Sequence, residues 1–256
     1  MLNVQSQGAV RTLQLHRPEV RNALNAELQG SLLHALDEAE ADATVRALVI
    51  TGSGKAFCAG LDLADLKAIS RNSAEENRRD SARFARLLER LYTFPKPTVA
   101  ALNGHAVAGG AGLASACDLV VMSEGAKLGY TEVKIGFVPA VVAVLLLRQL
   151  GERQARDLLL TGRLISAGEA HAFGLVNDVV KESEVMPRAL ELAALTAKNS
   201  PTSLELTKTL LCALPGMGLF EALRYAVDLN TLARGTADLQ EGVGAFLEKR
   251  DPSWQR

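Results

Sequence analysis

Cysteine is scarce in this sequence: Cys58, Cys117 and Cys212 are the only three among 256 residues. Their number is odd, they lie far apart and no CxxC pair occurs. That argues against a disulfide framework or a cysteine zinc site, and buried free thiols in a reducing compartment are the expectation. The four histidines, His16, His34, His105 and His171, show no HExxH pairing, so no metal site is expected. An excess of one charge is missing too. The 28 basic and 29 acidic residues leave a net charge of −1, which steers the chain toward neither nucleic acid nor anionic lipid. No hydrophobic run is long enough to span a membrane. The longest, Phe137 to Leu147, falls short of the roughly 20 residues that cross a bilayer, and it reads as a buried helix. The N-terminus, Met1-Leu-Asn-Val-Gln-Ser, has no basic segment before an apolar run, so no secretory signal is expected and the cytoplasm is the default.

Familiar ligand motifs also fail. Gly52-Ser-Gly-Lys55 would need glycine at Val49 and a hydroxyl residue at Ala56 to be a phosphate-binding loop. The 104–112 stretch lacks GxGxxG spacing, and no GxSxG elbow is present. Arg79, Arg83, Arg86 and Arg90 share one helical face. Glu75, Glu76, Asp80 and Glu89 lie on the same helix, which reads as a salt-bridged, solvated surface and not as a nucleic-acid site.

What is present is apolar patterning. Hydrophobic residues make up 48% of the chain, enough for a substantial core. Val10–Leu15, Ala47–Thr51, Thr98–Leu102, Leu119–Met122 and Val176–Val180 read as strands, and Ala47–Thr51 is apolar enough for a sheet covered on both faces. Between them lie helical patterns: one after Asn25, which is placed to cap it, one over about Ser73–Tyr92, and a small-residue helix opened by Gly109-Gly-Ala-Gly112. Alternation of this kind predicts an α/β fold with parallel pairing. After Asn199-Ser-Pro201 every segment is helical, which places a boundary near residue 196: a core over 1–195 and a helical region over 196–256.

Two strand exits look built for one task. Lys55-Ala-Phe-Cys-Ala-Gly60-Leu-Asp-Leu63 is expected to lead into a helix near Leu61, and Asn103-Gly-His-Ala-Val-Ala-Gly-Gly-Ala-Gly112 into another. The first amides of a helix have no partner within it, and the helix dipole favours negative charge there. Glycine at 109 and 110 would let a ligand approach the backbone. Two such amides converging on one oxygen would form an oxyanion hole, worth roughly 3–4 kcal/mol per donor.

These segments resemble the crotonase superfamily of enoyl-CoA hydratases and isomerases. The likeness runs from His16-Arg-Pro-Glu-Val-Arg-Asn-Ala-Leu-Asn25 through Ala56-Phe-Cys-Ala-Gly-Leu-Asp62 and Pro95–Gly104 to Ala108–Gly112. Leu160-Thr-Gly-Arg163 and Glu241–Arg250 extend it. The resemblance implies a spiral of repeated ββα units with a C-terminal helical region, assembled as a homo-trimer or homo-hexamer. It implies oxyanion donors at Leu61 and Gly109, and coenzyme A contacts around Ala23, Leu24, Ala59, Asp62, Leu63 and Gly110. The acyl-CoA itself would be the substrate, so no separate cofactor is implied. Glu132, in Gly129-Tyr-Thr-Glu-Val-Lys-Ile-Gly136, matches the segment that delivers an acid/base carboxylate. The departure is Gly112, which stands where two-acid hydratases carry their other Glu. Three readings stay open: a hydratase-like enzyme using Glu132, a double-bond isomerase, for which one carboxylate suffices, and a non-catalytic acyl-CoA binder.

Overall fold

The computed structural model describes residues 1–255, the side chains of Leu63 and Ala64 apart. Strands β1 (Leu2–Gln7) and β2 (Val10–Leu15) form an antiparallel hairpin. β1 has no apolar alternation for a sequence reader to detect, because its outward residues from Asn3 to Gln7 are all exposed. Helix α1 (Ala26–Ala41) follows, and Asn25 caps it as expected, its Oδ1 accepting the Leu28 N–H at 2.9 Å.

A strand–strand–helix unit then repeats. β3 (Ala47–Gly52) and β4 (Ala56–Cys58) lead to α2 (Leu63–Ile69) and α3 (Ala74–Tyr92); β5 (Thr98–Leu102) and β6 (His105–Val107) lead to α4 (Gly109–Ser115). β7 (Leu119–Ser123) and β8 (Lys127–Gly129) lead to α5 (Ala140–Gln149) and α6 (Glu152–Thr161). In each unit the first strand joins a sheet ordered β1-β2-β3-β5-β7-β10 and the second joins a sheet ordered β4-β6-β8-β9. β9 (Ile165–Ser166), α7 (Ala167–Ala172), β10 (Asp178–Val180) and α8 (Val185–Ala197) complete the core. All pairs from β2 to β10 in the larger sheet are parallel. The expected spiral of ββα units is what the chain forms.

The alternation within β3 shows why both sheet faces are covered. Leu48 and Ile50 enter the main core, whereas Ala47 and Val49 face the other way, against Val185, Ala189 and Ala193 of α8. After α8 come α9 (Pro201–Ala213), α10 (Leu219–Arg234) and α11 (Ala237–Glu248). Among their described residues only Lys208 and Ala245 are buried. Lys208 ties α9 to the sheet through Asp118, which also accepts the Thr98 N–H at 2.7 Å and its hydroxyl at 2.9 Å. The arginine face of α3 is ion-paired in part, Arg83 with Asp80 and Arg90 with Asp37 and Glu40.

Four readings need correction. The Lys55–Gly60 and Asn103–Gly104–His105 stretches contain β4 and β6, three-residue strands too short to show a period of two. The helix expected near Leu61 begins at Leu63, since Leu61 bridges to Leu24 in extended backbone. The last strand begins at Asp178 and not at Val176. Finally, Phe137–Leu147 is no buried helix: α5 starts at Ala140, and Val138, Val144 and Leu147 are exposed. Only one stripe of it, Val142, Leu145 and Leu146, packs inward, so apolar composition alone overstated its burial.

Candidate active site

The site begins in the turn after β2. Arg21 and Asn22 both adopt left-handed backbone, with φ of 55° and 56°. Asn22 is fully buried and wires the turn to the next unit. Its Oδ1 accepts the Arg17 N–H at 2.9 Å and the Ser53 hydroxyl at 3.2 Å; its Nδ2 donates to Ser53 O at 2.9 Å and Ala56 O at 2.8 Å. Arg17 donates to Ala23 O at 2.6 Å and pairs with Asp62 at 2.8 Å, both side chains being nearly buried. These bonds clamp the Ala23–Leu24 segment against the Leu61–Asp62 segment. Leu24 N–H donates to Gly60 O at 2.7 Å and Asp62 N–H to Leu24 O at 3.2 Å, a one-residue parallel bridge. The residues expected to contact coenzyme A from two distant parts of the chain therefore lie side by side.

Asn22→Ala is expected to destabilise the protein by about 3 kcal/mol, because buried donors and acceptors lose their partners at roughly 1–3 kcal/mol each. Urea unfolding measures this, and a change below about 1 kcal/mol would show that the turn holds without the amide.

The bridge runs through Gly60 O and Asp62 N–H, so Leu61 N–H is not used in it. The Ala59 amide, in contrast, is spent on Arg21 O at 3.0 Å. Gly60 takes φ +87°, and a side chain there would come within 2.8 Å of Val107 O and 3.2 Å of Gly109 N. Only glycine permits this meeting of the two loops. On the second loop the first α4 bond runs from Gly112 N to Ala108 O at 3.0 Å, which leaves the amides of Gly109, Gly110 and Ala111 without a partner in the helix. Ala108 sits at φ 52° and ψ −123°, a strained conformation for a residue with a side chain. Its N–H is held by Gly129 O at 2.8 Å.

The glycines of α4 do something other than the sequence suggested. The space at Gly110 is taken by the Cys58 backbone, 2.8 Å from where a Cβ would lie, and the space at Gly109 by the Phe84 ring at 3.1 Å. Their bareness serves packing of β4 and α3, while their amides have no partner in the helix. Leu63 opens α2 with its backbone, and its side chain lies outside the described residues. Asp62 points its carboxylate at Arg17. Cys58 is no nucleophile, since burial pushes its thiol up to about 12.

Glu132 follows three residues after Gly129, at the start of a 3-10 turn over Glu132–Ile135. Since Gly129 is bonded to Ala108, three residues of chain keep the Glu132 backbone within roughly 11 Å of that contact. Tyr130 anchors the segment: it is wholly buried, and its hydroxyl lies 2.7 Å from Ser115 Oγ on α4. Glu132 is 8% exposed and its Oε2 has no hydrogen-bond partner among the described residues. Burial holds its pKa above the usual 4.5, an effect that its own backbone N–H partly offsets. A buried carboxyl group whose pKa burial raises is suited to passing a proton. One open cleft, of about 410 Å³, lies between the β1–β2 hairpin and α8 and is not lined by Glu132. Another, about 350 Å³, is lined by Ala26, Asp65, Arg79 and Arg83 among others.

The model of the enoyl-CoA hydratase/isomerase family matches residues 5–256. The chain belongs to that family. A Thermus thermophilus protein, provisionally named as an enoyl-CoA hydratase, is 59% identical over 96% of this chain and 97% of its own. The 2,3-dehydroadipyl-CoA hydratase of Escherichia coli is 36% identical over 99% and 98%. Among solved structures, an enoyl-CoA hydratase from a Polaromonas species matches with a TM-score of 0.93 at 33% identity, covering 98% of each chain. The family fold is thus shared along nearly the whole length. Arg17, Asn22, Phe84 and Tyr130 were not singled out in the sequence. They act through tertiary contacts that no periodicity announces. No helix among the described residues is long and apolar enough to cross a membrane, and no group of three metal-ligating side chains is found there.

Proposed function

We propose that this family member binds an acyl-CoA thioester, holds the oxygen of its enolate with the Leu61 and Gly109 amides, and moves the proton with Glu132. The observation that carries the reading is the buried Glu132 carboxyl, its Oε2 without a partner among the described residues, on a segment bonded to the Gly109 loop. As the C2–H bond breaks, the carboxylate takes the proton and the charge flows to the thioester oxygen, where preorganised amides stabilise it. The hydratase-like outcome is supported by the names of the relatives. The isomerase outcome is supported by Gly112, which leaves one carboxylate.

Nuclear magnetic resonance of a saturated acyl-CoA incubated in D2O tests the shared step. The expected result is deuterium at C2 with the wild type. No exchange would leave a binder of acyl-CoA. A 2-enoyl-CoA that loses its conjugated absorbance reports hydration, and a 3-enoyl-CoA that gains it reports isomerisation.

The same reading assigns residues 1–195 to the catalytic core and 196–256 to assembly and pocket closure. Leu219, Phe220, Phe246 and Leu247 are exposed, a surface suited to other copies in a homo-trimer or homo-hexamer. Three unpaired thiols support a cytoplasmic setting.

A further inference from the structure

Gly112 lies one turn beyond Gly109 on α4, so the two share a helix face. A Cβ at 112 would overlap Val142 Cγ1, and it would lie 3.3 Å from Val142 Cβ and 3.4 Å from Leu88 Cδ1. Val142 and Leu88 are each 2% exposed, so neither can swing into solvent to make room. Leu88 stands one turn from Phe84, the residue over Gly109, so hydrocarbon from α3 and α5 covers this whole face of α4. The position where a second carboxylate would stand has not merely lost its side chain; it has been filled.

We propose that Val142 is the specificity-determining residue that turns the enolate toward double-bond migration and away from addition of water. This rests on the enolate reading given above. Hydration joins a water oxygen to C3 and a proton to C2, and the water needs a second polar group to hold it while Glu132 takes its proton. Gly112 carries no such group, and the Val142 side chain takes the space in which one would stand. Migration needs neither. The C2–H bond breaks, Glu132 holds the proton, and a C4–H bond forms from the same carboxyl as the double bond moves from C3–C4 to C2–C3. Atoms and charge balance with no water consumed.

Two experiments test this, one without catalysis. Gly112→Ala is expected to lower Tm by several degrees, and Val142→Ala in the same chain to restore most of the loss, because a Cβ and Cγ1 compete for one space. An unchanged Tm for Gly112→Ala would overturn the filling argument. In turnover assays the wild type is expected to isomerise 3-enoyl-CoA far faster than it hydrates 2-enoyl-CoA. Gly112→Glu with Val142→Ala is expected to raise hydration about 100-fold, the usual reach of a well-placed acid/base group, whereas Gly112→Glu alone gives little. Equal hydration in the single and double variants, or a folded double variant that exchanges C2 hydrogen yet gains under about tenfold, would overturn the role of Val142. Loss of C2 exchange in the wild type is a separate result, and it removes the enolate reading together with this one.

Discussion

Glu132→Gln is expected to lower turnover by about 10²–10⁴-fold while acyl-CoA affinity stays near that of the wild type. The amide is nearly isosteric with the carboxylate, so the proposed binding through Ala23–Leu24 and the two proposed oxyanion amides is expected to be undisturbed, and only the proton carrier is lost. Turnover with a 3-enoyl-CoA and calorimetric titration with a saturated acyl-CoA separate the two quantities. Unchanged turnover would exclude Glu132 from the mechanism. The pH dependence carries its own sign. Proton abstraction needs the ionised carboxylate, so the acidic limb of kcat/KM is expected above 4.5, the ordinary value from which burial raises this group. For stability the folded state holds the proton more tightly than the unfolded state. The favourable term is present below the unfolded pKa and is lost as pH rises through the raised folded one. Glu132→Gln is therefore expected to be more stable than the wild type at about pH 7, with the gap closing at about pH 4. A gap that widens in acid would mean that the carboxylate is stabilised by a partner.

Gly109→Pro is expected to cost about 10²–10³-fold in turnover, the loss measured when one oxyanion donor is removed elsewhere. Position 109 is the first residue of α4, where proline fits the helix and where the missing N–H has no helical acceptor to lose. The substitution subtracts the donor at the cost of a shift of the Phe84 ring and of added strain at Ala108, whose positive φ is disfavoured before proline. Circular dichroism and Tm check the fold, and C2 exchange in D2O reads the enolate step directly. A variant that keeps the fold and full exchange would place the second donor on another residue.

Much of the fold was legible in the chain because its signals are local. Thr98–Leu102 and Val10–Leu15 are strands at the residues their apolar runs mark, and Asn25 caps α1 through a bond spanning three residues. β4, β6, β8 and β9 were not legible, since two or three residues cannot display a period and the second sheet exists only through pairing between units. For the candidate site, the resemblance to the crotonase superfamily implied Leu61, Gly109 and Glu132. It gave no hint that Gly60 brings the first loop against the Gly109 amide, or that Asn22 and Arg17 fasten the coenzyme A segments together.

The clearest division lies at Gly112. The sequence by itself determined that no carboxylate stands there and that Glu132 is the acid available in its motif, because a residue's functional groups are fixed by its identity. Only the tertiary structure decided what occupies the vacated volume: Val142, thirty residues onward, which reaches that place because α5 packs across the glycine face of α4. Packing is a property of surfaces brought together by the whole chain, and a linear pattern carries no record of which side chain fills which gap.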